Sequence, residues 1–232
     1  QQTNDGGYII TGGIAIPGDS VSNLYLIKTD GNGNTLWTKT FGSGIGISIQ
    51  QTTDGGYIIT GSNGFSYPYG SYGDVCLIKT DMNGDSIWTK TFNFGEGFSV
   101  QQTNDGGYII TGGKDDLYGY SEDIFLIKTD GNGNTLWTKT FGDSNYEQGH
   151  SVQQTTDGGY IVTGYHLPDN SSFTHPYLVK TDINGDSLWT KTFDDGGMGF
   201  SIQQTNDGGY IIAGMIHNPG DTVTRVCLIK TD

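Results

Sequence analysis

The chain has 232 residues with 11 Lys+Arg against 25 Asp+Glu, a formal net charge of -14. With a pI of about 4.3, it repels phosphate backbones and anionic membrane surfaces, which excludes a nucleic-acid-binding class. Charged residues are only 16% and aromatics 12%, the balance of a chain that folds.

The 39 Gly show no triplet period, so a collagen-like chain is excluded. No apolar run reaches the roughly 18 residues of a membrane span. Gln1 to Asp5 carry neither the basic start nor the apolar stretch of a signal peptide, so the sequence reads as a mature product or an excerpt.

Repetition dominates the chain from its first residues. Asp-Gly-Gly-Tyr begins at Asp5, Asp54, Asp105, Asp157 and Asp207. Leu-[Ile/Val]-Lys-Thr-Asp begins at Leu26, Leu77, Leu126, Leu178 and Leu228. Every Trp belongs to the repeat: Trp37, Trp88, Trp137 and Trp189. The copies span about 1-42, 43-93, 94-142, 143-194 and 195-232.

Each copy carries four strand signals in order. The third copy shows them as Ser99 to Thr103, Gly107 to Gly112, Ile124 to Asp130 and Leu136 to Phe141. They are rich in β-branched and aromatic residues and hold no Pro. Asn/Thr-Asp-Gly-Gly separates the first two strands and Asp-x-Asn-Gly the last two. Both are tight-turn chemistry, because Asn, Asp and Gly tolerate positive φ. The expected fold is all-β: a β-propeller of four-stranded antiparallel blades, about 50 residues each. Five repeats are expected in a single propeller, the last without its fourth strand. Copies one and three share Gly31 to Gly42 and Gly131 to Gly142, whereas copies two and four differ there. That alternation suggests duplication of a two-blade unit and an excerpt of a longer array.

The pattern Ser-Val-Gln-Gln-Thr-x-Asp-Gly-Gly-Tyr-Ile-[Ile/Val]-Thr-Gly, then Leu-Ile-Lys-Thr-Asp-x-Asn-Gly-x-x-Leu-Trp-Thr-Lys-Thr-Phe, resembles repeats of secreted or surface propeller proteins of bacteria and archaea. The resemblance covers the whole chain and implies a secreted or cell-surface location. The Asp-x-Asn-Gly-x-x-x-Trp hairpin is similar to the tryptophan-docking motif of quinoprotein propellers. By that likeness Trp37, Trp88, Trp137 and Trp189 are structural staples between blades, with no quinone site implied.

Few residues recommend themselves for chemistry. Asp81-Met82-Asn83-Gly84-Asp85 spaces oxygens like a calcium loop but lacks the Gly and acid placement of an EF-hand. A hairpin turn outweighs calcium there, and no other cofactor or metal is expected. If the first strand is innermost, Gln51, Gln102, Gln154 and Gln204 point along a central channel. The alternative is that the paired amides satisfy one another and channel water. Lysines in the two repeat slots read as structural, their heads paired with turn Asp residues. Cys76 and Cys227 fill an equivalent core slot and read as buried hydrophobes. His150, His166, His175 and His217 sit in variable segments without metal spacing.

Strand alternation puts the short repeated turns on one face and the variable loops on the other. Variable loops on a constant scaffold are where recognition resides. Phe65, Tyr67, Tyr69, Tyr72, Tyr118, Tyr120, Tyr165, His166, Phe173 and His175 are the candidate ligand-binding residues, offering stacking faces beside polar groups. The alternative is that these rings pack the loops onto the scaffold. The expected function is non-enzymatic adhesion to a glycan or protein. One alternative is a structural spacer or filament subunit that self-associates through the open blade edge. A second is a polysaccharide-active enzyme with a loop-built site.

Overall fold

The computed structural model describes residues 1–232 apart from 19–20, 65–72, 94, 116–121, 144, 169–170 and 218–222. The described residues form 18 strands and no helix. They fall into two compact units: Gln1–Tyr108 with Asp130–Asn134, and Ile109–Thr129 with Thr135–Asp232.

The first unit holds β1 (Tyr8–Ile14), β2 (Asn23–Thr29) and β3 (Thr35–Ser43) in one antiparallel sheet, in that order. Next come β4 (Ile45–Gln51), β5 (Tyr57–Asn63), β6 (Asp74–Thr80) and β7 (Ser86–Phe92), a four-stranded sheet in chain order. These are the four strands read from the sequence of one repeat. β8 (Glu96–Gln102) follows. Copy one makes no first strand; Gln2 forms only an isolated bridge with Tyr8.

The second unit holds β9 (Tyr108–Asp115, from Ile109), β10 (Glu122–Thr129), β11 (Thr135–Phe141), β12 (Tyr146–Gln154), β13 (Tyr160–Leu167), β14 (His175–Thr181) and β15 (Ser187–Thr192). A single parallel pair, Glu122 with Tyr146, joins β10 to β12. β16 (Gly196–Gln204), β17 (Tyr210–His217) and β18 (Arg225–Thr231) form a three-stranded sheet.

Two turns repeat with one geometry. In the first, Gly55 sits at φ 84°, the left-handed region open to Gly. Asp54 Oδ1 accepts from the Thr52 hydroxyl at 2.6 Å, from the Gly56 N–H at 3.0 Å and from Lys79 at 3.0 Å. Lys79 is 4% exposed, so the carboxylate offsets the burial of its charge. Lys28 pairs with Asp5, Lys180 with Asp157 and Lys230 with Asp207 in the same way. In the second turn, Asp81 Oδ1 accepts from the Asn83 and Asp85 N–H groups at 2.9 and 2.8 Å. The Asp81 carboxylate, the first of the oxygens that resemble a calcium set, therefore binds the turn's own N–H groups, and Asp85 Oδ1 accepts from Lys39.

Within each unit, copies pack through unlike faces. In the first unit Ile9, Leu24 and Leu26 of copy one meet Tyr57, Ile59 and Ile78 of copy two, with Trp37 against them. In the second unit Ile109, Ile124 and Leu126 meet Val152, Tyr160, Val162 and Val179. Ile161 and Leu178 meet Ile202, Tyr210 and Ile212. Each Trp packs on the next copy's Tyr, edge-on for Trp37 on Tyr57 at 6.1 Å, Trp88 on Tyr108 at 5.9 Å and Trp137 on Tyr160 at 5.7 Å, and tilted for Trp189 on Tyr210 at 6.0 Å. The Trp also covers the next turn's Gly: a Cβ on Gly84 would lie 2.6 Å from Trp37 and one on Gly185 2.7 Å from Trp137.

Candidate recognition site at the variable-loop end

The paired Gln residues stitch one copy to the next. Gln51 N–H donates to Gln1 Oε1 at 2.6 Å, and Gln51 Oε1 accepts from Asn4 N–H at 2.8 Å. Gln102 repeats this with Gln50 at 2.6 Å and Thr53 at 2.9 Å. Gln204 repeats it with Gln153 at 2.6 Å and Thr156 at 2.9 Å. Gln154 donates to Gly158 O at 3.2 Å. These amide groups thus occupy backbone bonds rather than standing free.

The first strands are bulged, with register shifts at Gly46/Ser48, Gly149/Ser151 and Gly199/Ser201. The extra residue is re-aimed by the bulge. A Cβ on Gly46, Gly149 or Gly199 would collide with Thr11, Thr111 or Thr163 Oγ1 of the preceding copy. The sequence carries a mark of this, Gly-x-Ser, at Gly46, Gly97, Gly149 and Gly199. Its middle slot holds Ile47, Phe98, His150 and Phe200. His150 is stacked on Phe200, ring centroids 5.3 Å apart and 8° from parallel, with Tyr165 edge-on at 5.5 Å.

A polar chain runs through that stack in the second unit. Both Glu122 oxygens accept from Gln148 Nε2, at 2.8 and 2.9 Å. Gln148 Oε1 lies 3.1 Å from His150 Nε2, and His150 Nδ1 lies 3.1 Å from Gly199 O. Burial pulls the His150 pKa down while the Gly199 carbonyl acts in the opposite direction. Beside it, Glu147 is 1% exposed and is bonded to His166 Nδ1. Burial raises the Glu147 pKa against the lowering effect of the His166 bond. All three Glu residues of the chain lie outside the repeat slots, at 96, 122 and 147. That was the available sign of a site departing from the repeat.

An opening lies between copies four and five of the second unit. A cavity of about 370 Å³ is lined by Leu167, Phe173, Met198, Met215 and His217, with Ser172, Thr174 and Thr224. Met198 and Met215, directly opposite each other on β16 and β17, both line it. Phe173 is 38% exposed and stacks on His217, centroids 5.1 Å apart. A smaller crevice of about 210 Å³ in the first unit is lined by Leu24, Phe41 and Cys76 among others. Burial pushes the Cys76 thiol up to about 11.

Of the candidate ligand residues, Phe65, Tyr67, Tyr69, Tyr72, Tyr118 and Tyr120 lie outside the described residues. Phe173 lines the cavity. Tyr165, His166 and His175 stand on β13 and β14 instead of loops, with His166 opposite His175. Tyr165 packs on His150, His166 binds Glu147, and His175 Nδ1 faces Phe193 O at 3.1 Å. Sequence reasoning missed Met198, Met215 and Leu167, and passed over His217, because nothing in their spacing announces a shared wall. Among the described residues no group of three or more His, Cys, Asp and Glu is placed to hold a metal. No helix among them is long and apolar enough to cross a membrane.

No family model matches the sequence, and no curated protein matches it. Solved structures do. A Bacteroides caccae protein of unknown function is 12% identical, with a TM-score of 0.54 over 95% of this chain and 72% of its own. The WD40 domain of Neurospora crassa Pan2 is 8% identical, with a TM-score of 0.52 over 94% of this chain and 64% of its own. Endo-arabinase from Bacteroides thetaiotaomicron is 12% identical, with a TM-score of 0.52 over 100% of this chain and 95% of its own. At these identities the likeness concerns fold alone. WD40 repeats build β-propellers, so the chain is an all-β repeat protein of propeller type.

Proposed function

We propose that the chain is a secreted or cell-surface recognition module that binds a glycan or a protein segment at its variable-loop end. The cavity between copies four and five carries this reading. Its size is that of a small-ligand site, and its walls combine an apolar floor with a few polar groups. The exposed Phe173 ring offers a face for the C–H side of a sugar or for an apolar side chain. Ser172, Thr174, Thr224 and His217 supply hydrogen-bonding groups at the same opening.

Binding is favoured over hydrolysis by the disposition of the carboxylates. Glycoside hydrolysis sets two carboxyl groups on either side of a sugar bond. Among the described residues that line this cavity none is Asp or Glu. A glycan array probed with the labelled chain tests the reading. Selective binding that falls at least about tenfold in Phe173→Ala and His217→Ala supports it, the size of one lost contact of about 1.4 kcal/mol. Selective binding untouched by both substitutions in folded protein would remove the cavity from the account. A folded chain that binds no glycan turns the reading to protein ligands.

A further inference from the structure

The copies repeat closely enough for one interface to show what its counterpart lacks. Between copies three and four, Tyr177 packs with Phe141 against the cluster that holds Ile124, Leu126 and Val179. Its hydroxyl is hydrogen-bonded to the Thr190 side chain. His166 lies against its ring, centroids 5.9 Å apart, and is bonded to Glu147. The matching positions between copies one and two hold smaller groups. Cys76 stands for Tyr177 and Asn63 for His166; counted back from Gly46 and Gly149, Gly44 stands for Glu147. The apolar walls are kept, with Leu24 for Ile124, Phe41 for Phe141 and Ile78 for Val179, and Thr89 keeps the hydroxyl of Thr190. There the first unit has its crevice of about 210 Å³, lined by Leu24, Phe41, Asn63, Cys76, Ile78 and Thr89 among others.

We propose that this crevice binds a small monocyclic phenol. Its ring takes the place that Tyr177 takes between copies three and four, and its hydroxyl bonds to Thr89. The occupant is named by that counterpart, where the same walls and the same Thr hold a phenol supplied by the chain itself. The space suffices, because an apolar cavity of about 150 Å³ already admits benzene. Leu24, Cys76 and Ile78 are buried and offer the ring apolar contact. Thr89 is exposed, so the ligand hydroxyl meets a partner that can donate or accept at the mouth of the crevice. A sugar fits this wall poorly, since most of its hydroxyls would lie unpaired against Leu24, Phe41 and Ile78. The proposal is independent of the cavity between copies four and five, which lies in the second unit.

NMR titration of the 232-residue chain, labelled at its Leu, Ile and Met methyls, tests it with p-cresol and with toluene as probes. p-Cresol is the tyrosine side chain as a free molecule. It is expected to bind with a Kd of about 1 mM or tighter, shifting the Leu24 and Ile78 methyls and leaving Met198 and Met215 in place. Cys76→Tyr puts a ring of the chain's own in the crevice and should weaken p-cresol at least about tenfold. Thr89→Val should weaken p-cresol about fivefold and leave toluene unchanged, the size of one lost hydrogen bond. Leu24 and Ile78 methyls that do not shift in wild type overturn the proposal, and so do shifts centred on Met198 and Met215. Binding as tight in folded Cys76→Tyr as in wild type overturns it too, as does toluene binding as tightly as p-cresol. Cys76→Phe replaces Cys76→Tyr if that variant unfolds, and the methyl shifts of wild type decide without either.

Discussion

Asp157 shows how one residue in a turn can govern the strands beyond it. Its burial alone would raise the pKa, but the Thr155 hydroxyl, the Lys180 ammonium and the Gly159 N–H outweigh this and hold it at about 2. Asp207 is likewise held at about 2, by Thr205, Lys230 and Gly209. A carboxylate depressed in the folded state stabilises that state above its unfolded pKa near 3.9, and the contribution disappears as pH falls through the folded value. Urea midpoints should therefore hold from pH 7 to about pH 5 and fall steeply between about pH 4 and 2. A midpoint unchanged at pH 2.5 would contradict the turn chemistry. Asp157→Ala should cost about 2–3 kcal/mol, because it leaves the buried Lys180 ammonium without its carboxylate. Urea unfolding of that variant beside wild type measures the loss.

Glycine in the Asp-x-Asn-Gly turn gives a second test at a single residue. Gly185 has φ 79° and lies beneath Trp137; Gly33 has φ 85° and nothing near its missing Cβ. Gly33→Ala should cost only the left-handed backbone strain, about 1 kcal/mol. Gly185→Ala adds the collision with the ring and should cost about 2 kcal/mol more. Equal losses in the two unfolding curves would mean that the Trp does not bear on the turn.

Between elements, the copies are tied by side chains reaching backbone groups as much as by apolar packing. The Gln153 amide oxygen accepts the Gln204 N–H at 2.6 Å, and Ser151 Oγ accepts the Ile202 N–H at 3.3 Å. Gln153→Leu should cost about 1–2 kcal/mol in urea unfolding, since it leaves an N–H without its acceptor. Amide exchange at Gln204 should accelerate in that variant while Ile202 is little changed; uniform acceleration along β16 would mean a wider loss of packing. Strand order and turn type at this scale were legible in the sequence, because Asp-Gly-Gly-Tyr and Asp-x-Asn-Gly encode turn geometry locally. The bulge at Gly149 was not, since its need for Gly comes from Thr111 in another copy. Nor was the Glu147–His166 pair, which joins residues in irregular stretches where the repeat gives no register.

At the scale of the molecule, a repeat cannot bury its own faces, and neighbours supply what each copy lacks. The sequence period near 50 residues carries that conclusion without any site. The candidate site needed coordinates. Only the strands bring Met198 opposite Met215 and set Phe173 on His217, and no spacing in the sequence predicts either contact. The same stacking explains why equivalent tyrosines differ so widely: Tyr57, Tyr108, Tyr160 and Tyr210 lie at 5% exposure or less, while Tyr8 lies at 41%.

Hydroxyl-radical footprinting read residue by residue in dilute protein tests that stacking most directly. Tyr8 should be labelled strongly, and Tyr57, Tyr108, Tyr160 and Tyr210 should be protected. Equal labelling of all five would contradict the account, and so would a Tyr8 as protected in dilute solution as its four counterparts.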